Sequence, residues 1–213
     1  MKKITLLLTS ALFTTAAFSQ MNFNYGIKAG ANFSTLTAKP SGEVSSSTSY
    51  KVGFNAGGFV ELGVGSGFTI QPELLFSQMG GKVSFTNAAG ATVGEGTYNF
   101  NYLHLPILVK YGIKGVDGLS AFVGPQVGFL MSAKSTKIKV LGVDSPDEDV
   151  KNDLKGVDFA GTLGVEYKLP MGVVFAARYQ YSFANILKEE ADGKIVNSGI
   201  TLNVGYAFGG KKK

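Results

Sequence analysis

The stretch Lys51-Val52-Gly53-Phe54-Asn55-Ala56-Gly57-Gly58-Phe59-Val60-Glu61-Leu62-Gly63-Val64 decides the fold. Val52, Phe54, Ala56, Gly58, Val60, Leu62 and Val64 share one parity, and Lys51, Gly53, Asn55, Gly57, Glu61 and Gly63 share the other, with Phe59 out of phase. Successive side chains of a β-strand point to opposite faces, so this is a strand with one apolar face and one small, polar face. The preceding segment repeats the pattern: Tyr25, Ile27, Ala29, Ala31 and Phe33 alternate with Asn24, Gly26, Lys28, Gly30, Asn32 and Ser34. So does the last, where Ile200, Leu202, Val204, Tyr206 and Phe208 alternate with Thr201, Asn203 and Gly205.

Between these ends the alternation recurs, giving eight segments: 23–36, 51–64, 68–78, 101–113, 119–133, 157–168, 173–183 and 197–208. Each reaches the ~10 residues that a tilted membrane-crossing strand requires. Tight connections with Gly and Pro (Gly65-Ser66-Gly67, residues 114–118, Pro170-Met171-Gly172) alternate with longer polar ones at 37–50, 79–97, 134–156 and 184–196. An even number of strands with short turns at one end and long loops at the other is the pattern of a transmembrane barrel. The predicted fold is therefore all-β: an eight-stranded, antiparallel, up-and-down transmembrane β-barrel with short periplasmic turns and longer extracellular loops.

Composition agrees. The chain has 29 Gly, 16 Phe and 9 Tyr, yet past residue 19 it contains no apolar run long enough for a spanning helix. The polar parity is rich in glycine (Gly26, Gly30, Gly53, Gly57, Gly124, Gly128, Gly164), which suits a cramped lumen better than a water-facing wall. Aromatics gather at both ends of the apolar face. Tyr25, Phe68, Tyr111, Tyr167, Tyr206 and Phe208 lie toward the short turns, and Phe33, Phe54, Phe76, Phe129, Phe159, Tyr181 and Phe183 toward the long loops. Two such bands are expected at two membrane interfaces.

The ends supply an address. Lys2 and Lys3 precede an apolar stretch from Ile4 to Ala17, and Ala17-Phe18-Ser19 has small residues where a signal peptidase requires them. Residues 1–19 are expected to be a cleaved signal peptide, cut between Ser19 and Gln20, with residues 20–213 forming the barrel domain. The absence of Cys excludes a lipoprotein anchor, disulfides and thiolate metal sites. The formal charge of +5 belongs to the ends, since the two lysines of the leader and Lys211, Lys212 and Lys213 account for all of it. The neutral body offers no basic face to nucleic acid.

The stretches Gly26-Ile27-Lys28-Ala29-Gly30-Ala31-Asn32-Phe33-Ser34, Asp158-Phe159 through Gly164-Val165-Glu166-Tyr167, and Arg178-Tyr179 through Asn185-Ile186 resemble strands of the PorT-like family of small outer-membrane β-barrels. The most recognisable is Tyr102-Leu103-His104-Leu105-Pro106-Ile107-Leu108-Val109-Lys110-Tyr111, where His104 stands in place of the family's usual acid. The resemblance implies fold and location, and no task.

The candidate site is a lumen charge network of Lys28, Glu61, Glu73, Lys110, Glu166 and Arg178, all on the polar parity. Three acids and three bases suit mutual pairing, because an unpaired interior charge is costly. His104 is the sole histidine and is expected in the lumen, with Tyr102 and Phe100 on the same parity toward the outer mouth. A bulge near Pro106 would shift that phase. The acidic loop Asp144, Asp147, Glu148, Asp149 and Asp153 lacks calcium-loop spacing and is balanced by lysines, so a solvated mobile loop is expected. No catalytic residue, metal site or cofactor is expected.

The expected function is a non-catalytic structural or interaction protein of the outer membrane, accessory to secretion or envelope integrity. Its partners would be outer-membrane lipid, the barrel-assembly machinery during biogenesis and an unidentified surface or periplasmic protein, around a monomer. The alternatives are a barrel enzyme acting on outer-membrane lipid and a secreted soluble barrel holding a small apolar ligand. Sidedness is testable by epitope insertion. Tags near Gly90 or Asp147 should be labelled on intact cells, whereas tags at Ser66 or after Lys213 should be labelled only once the outer membrane is opened.

Overall fold

The computed structural model describes residues 22–39, 45–86, 92–140, 143–188 and 194–209. The signal segment, its Ser19–Gln20 junction and Gly90 lie outside the described residues. Eight long strands make the wall: β1 Phe23–Lys39, β2 Lys51–Gly65, β3 Phe68–Thr86, β4 Thr92–Gly112, β5 Leu119–Val140, β6 Val157–Lys168, β7 Val173–Ser182 and β8 Lys194–Phe208. Each pairs antiparallel with its neighbour in sequence, and β1 closes the ring on β8 from Tyr25↔Phe208 to Lys39↔Lys194. Closure leaves no unpaired edge, which is what allows a sheet to sit in hydrocarbon. None of the described residues forms a helix long and apolar enough to cross a membrane.

The faces are those of a barrel turned inside out relative to a soluble one. Val123 and Leu163, register partners on β5 and β6, are 59% and 57% exposed on the outer surface. Glu73 and Lys28 are only 3% and 4% exposed inside. This arrangement excludes the soluble barrel, whose apolar parity would line the interior. Phe59, out of phase in the sequence, is the exception that points into the lumen and is buried there.

Aromatic rings pair on the outer surface at both levels. Tyr25 stacks on Phe208 at 5.4 Å and Phe68 meets Tyr111 at 4.8 Å near the short turns. Phe54 and Phe76 at 5.7 Å, and Tyr181 and Phe183 at 6.1 Å, lie toward the other end.

Glycine on the inner parity does more than save space. A Cβ on Gly57 would lie 1.9 Å from the Leu74 carbonyl oxygen, and one on Gly124 would lie 2.0 Å from that of Ile107. At these points adjacent strands approach too closely for a side chain, which permits the sharp curvature of a narrow barrel. The β2–β3 turn depends on glycine differently, with Gly65, Ser66 and Gly67 all at positive φ (92°, 52° and 82°).

Two expectations need correction. The stretches 37–50, 79–97 and 134–156 are not simply loops. β1 continues to Lys39, β3 runs to Thr86, β4 begins at Thr92 and β5 extends to Val140. An added strand, Ser45–Ser49, pairs with the outer part of β3, and Val143–Ser145 and Glu148–Asp149 pair with β5. On these extensions the alternation inverts, with Lys82 and Ser84 outward and Met79 and Val83 inward, while backbone pairing continues. There is also no phase shift at Pro106. Tyr102, His104, Pro106, Leu108 and Lys110 all point inward, and the β4–β5 irregularities fall instead at Glu95/Thr97 and Asn101/Tyr102.

Leu163 lies midway along β6 between the aromatics Phe159 and Tyr167, and it tests the face assignment. Arginine there should lower the stability of the lipid-refolded barrel by ~2–4 kcal/mol, the usual cost of a cation at the bilayer midplane. Phenylalanine should change it little, whereas a packed core would lose ~1–3 kcal/mol to the added volume. Urea titration in lipid vesicles reads both.

Candidate functional site

The lumen is stratified. Near the short turns, buried Phe59, Val174 and Ala207 form a small apolar cluster. Around and beyond it lie the charges, because Lys28, Glu61, Glu73, Lys110, Glu166 and Arg178 all occupy inward positions on six strands.

The structure brings these six together in two linked groups. Glu73 receives the Lys28 ammonium and two hydrogen bonds from Arg178 Nη2, at 2.8 and 3.1 Å to its two oxygens. Lys110 donates to Glu61 at 2.7 Å and also pairs with Glu166. Gln71 joins the groups, donating to Glu73 and accepting from Lys110, each at 2.7 Å. Aromatic faces support the cations: Lys28 lies 5.5 Å from the Phe59 ring centre and Arg178 5.5 Å from that of Phe122. Each of the six charges therefore has an opposite charge in contact. This matters because a buried ion left alone destabilises strongly.

Two members were missed in the sequence reading. Lys168 ion-pairs with Glu61 at 2.7 Å, and Gln71 is the bridge. Both were available from parity, Lys168 standing two residues beyond Glu166 and Gln71 two before Glu73. With Lys168 the group holds four bases and three acids.

Above the charges a belt of amides and hydroxyls crosses the barrel. Asn55 donates to Asn32 at 2.8 Å, Asn32 donates to Ser77 at 3.0 Å, and Thr201 donates to Asn32 at 3.0 Å. His104 is buried higher, its ring stacked on Tyr102 at 5.3 Å, and Tyr102 meets Phe100 edge-on at 6.4 Å.

Phe100 and Tyr102 belong to an apolar plug with Leu36, Met79, Val83, Leu130, Ala133, Leu154 and Ile186. Leu154 and Ile186 come from the third and fourth outer connections, which join through a Leu154↔Leu187 bridge and a 2.8 Å bond from Lys155 N–H to the Ile186 carbonyl. The third connection is therefore anchored at its end, contrary to the expected free loop, because Leu154 inserts into the mouth. Asp147, Glu148, Asp149 and Asp153 remain exposed, and no group of three or more His, Cys, Asp or Glu that could hold a metal ion occurs among the described residues.

A closed antiparallel ring with an apolar, aromatic-banded exterior and paired charges inside defines a transmembrane β-barrel. The chain belongs to the outer membrane protein beta-barrel domain family, whose model matches residues 18–188, and it is an outer-membrane β-barrel protein. None of the curated protein sequences matches it. Among solved structures it is similar to the Neisserial surface protein A, at 9% identity and TM-score 0.49 over 85% of this chain and 96% of that one. It is also similar to Ail, the attachment invasion locus protein of Yersinia pestis, at 16% identity and TM-score 0.46 over 88% and 100%. A third is OprG of Pseudomonas aeruginosa, at 12% identity and TM-score 0.47 over 89% and 98%.

The network predicts unequal costs for its two lysines. Lys110→Met leaves Glu61 and Glu166 short of a buried partner and should cost ~3–5 kcal/mol in urea refolding. Lys168, whose side chain is 33% exposed, should cost under ~1 kcal/mol when changed to Met. Equal losses would contradict the burial difference.

Proposed function

We propose that this protein is a sealed, non-catalytic outer-membrane barrel whose work is done at its surface, as an accessory to secretion or to envelope integrity. The observation that carries this reading is the filled lumen. Mutually bonded charges occupy its periplasmic half, and an apolar plug of Tyr102, Phe100, Met79, Leu154 and Ile186 occupies its outer half. An eight-stranded barrel is just wide enough for its own side chains, so charges paired across it leave no free aqueous path.

The same packing argues against the barrel enzyme. His104 lies inside the wall against Tyr102, away from the lipid face where an acyl substrate would lie. The protein reaches this state as a monomer, after export by its leader and insertion by the barrel-assembly machinery. Its kinship lies with PorT-like barrels. Strands β3, β4 and β5 run beyond the apolar band and present a paired, water-facing extension to a partner.

Conductance tests the sealed lumen. In planar bilayers the barrel should show no steady channel steps, while a Phe100→Ala/Leu154→Ala/Ile186→Ala variant, with the plug removed, should flicker open. Stable steps from the unaltered protein would overturn the reading.

A further inference from the structure

Among the described residues four acids are buried in the lumen, and Asp158 is the one that none of the described ion pairs includes. It sits at the outer end of β6. Ser182 Oγ donates to its Oδ2 at 2.6 Å, and Asn197 Nδ2 reaches the same oxygen at 3.5 Å. Asn197 Nδ2 also approaches Tyr102 Oη at 3.3 Å. Two further oxygens of this cluster, Asp158 Oδ1 and Asn197 Oδ1, are buried without any hydrogen-bond partner. With Asp158 ionised both oxygens only accept, so neither can satisfy the other, and the position then calls for a donor or a positive charge.

Among the described residues, neither of the lumen cations nearest it in register supplies that charge. Arg178 is in register with Gly164, six residues down β6 from Asp158, roughly 20 Å of strand at ~3.3 Å per residue. It is also already committed to Glu73. His104 stands nearer, since His104↔Gly128 and Gly128↔Asp158 are register partners. Its ring is stacked on Tyr102, however, and it joins none of the described ion pairs.

We propose that Asp158, Ser182, Asn197 and Tyr102 form a binding site for a single hard monovalent cation, sodium or potassium, just beneath the outer plug. Carboxylate, amide, hydroxyl and phenol oxygens are the donors that hard cations take. One carboxylate balances one positive charge, whereas a divalent ion would leave a net charge in the dry interior. Leu154 and Ile186 roof the position, so an ion held there ties β4, β6, β7 and β8 together beneath the docked connections.

Thermal unfolding of the full barrel in detergent micelles tests this, with NaCl or KCl against N-methyl-D-glucamine chloride at equal ionic strength. The midpoint should rise by about 3–5 °C for each tenfold increase in metal ion above half-saturation, as linkage to the folded state requires. Asp158→Asn should abolish the dependence and, without metal ion, be at least as stable as the parent. His104→Gln should keep the dependence.

A parent protein indifferent to metal ion, or an Asp158→Asn variant that follows it, overturns the proposal. In either case the pocket holds water or a neutral acid. A response to calcium alone overturns the monovalent assignment. If Asp158→Asn does not refold, Ser182→Ala carries the test. Loss of its oxygen should raise half-saturation by at least the ~10-fold that losing even an outer partner costs a metal site, and an unchanged value counts against the site.

Discussion

Hydrocarbon offers no hydrogen bonds, and from that single constraint most of this structure follows. Every backbone N–H and C=O crossing the membrane must find a partner within the sheet, so the sheet must close. The β1–β8 pairing is that closure, and it carries fifteen register pairs from Tyr25↔Phe208 to Lys39↔Lys194. Once the ring is closed, alternate residues face lipid and the rest are confined in a narrow lumen. The apolar parity and the glycine-rich parity are the chemical answers to those two environments. At Gly57 and Gly124 even a methyl group would meet the next strand's carbonyl.

Confinement then sets the chemistry of the interior. Polar side chains in so small a space can be stable only if they satisfy one another, because bulk water cannot reach them in quantity. The half nearest the short turns solves this with ion pairs linked through Gln71, and the middle with amides and hydroxyls around Asn32. The outer half solves it by abandoning polarity, with Phe100, Met79 and Leu154 packed together. Asp158 lies close to the boundary between the polar belt and the plug, which is why its charge stands out.

Beyond the aromatic band the rules change. Water can satisfy backbone groups there, so pairing is no longer compulsory, yet β3, β4 and β5 remain paired well past the apolar band. The described parts of the first, third and fourth outer connections are held by two means, added strands along the wall and apolar side chains dropped into the mouth. The anchored end of the third connection leaves its acidic stretch in solvent, where a partner could meet it.

What the sequence determined by itself is the alternation, and with it nearly all of the membrane-embedded wall. Side-chain parity has period two in any strand, so eight segments, their faces and the inward direction of Lys28, Glu61, Glu73, Lys110, Glu166, Arg178 and His104 could all be read without coordinates. Parity also offers Lys168 and Gln71 as inward residues, but a lysine near a strand end and an uncharged amide do not announce themselves as parts of a charge network. Strand length beyond the apolar band was not legible, since the alternation inverts there, polar outward and apolar inward, and so reads as a break in the strand. Nor was the partnering inside the lumen. Whether Glu73 meets Lys28 or Lys110 depends on register across several strands, and whether Leu154 enters the mouth depends on two connections meeting. Such contacts join residues distant in sequence, 45 positions apart for Lys28 and Glu73 and 105 for Glu73 and Arg178. Only closure of the barrel brings them together.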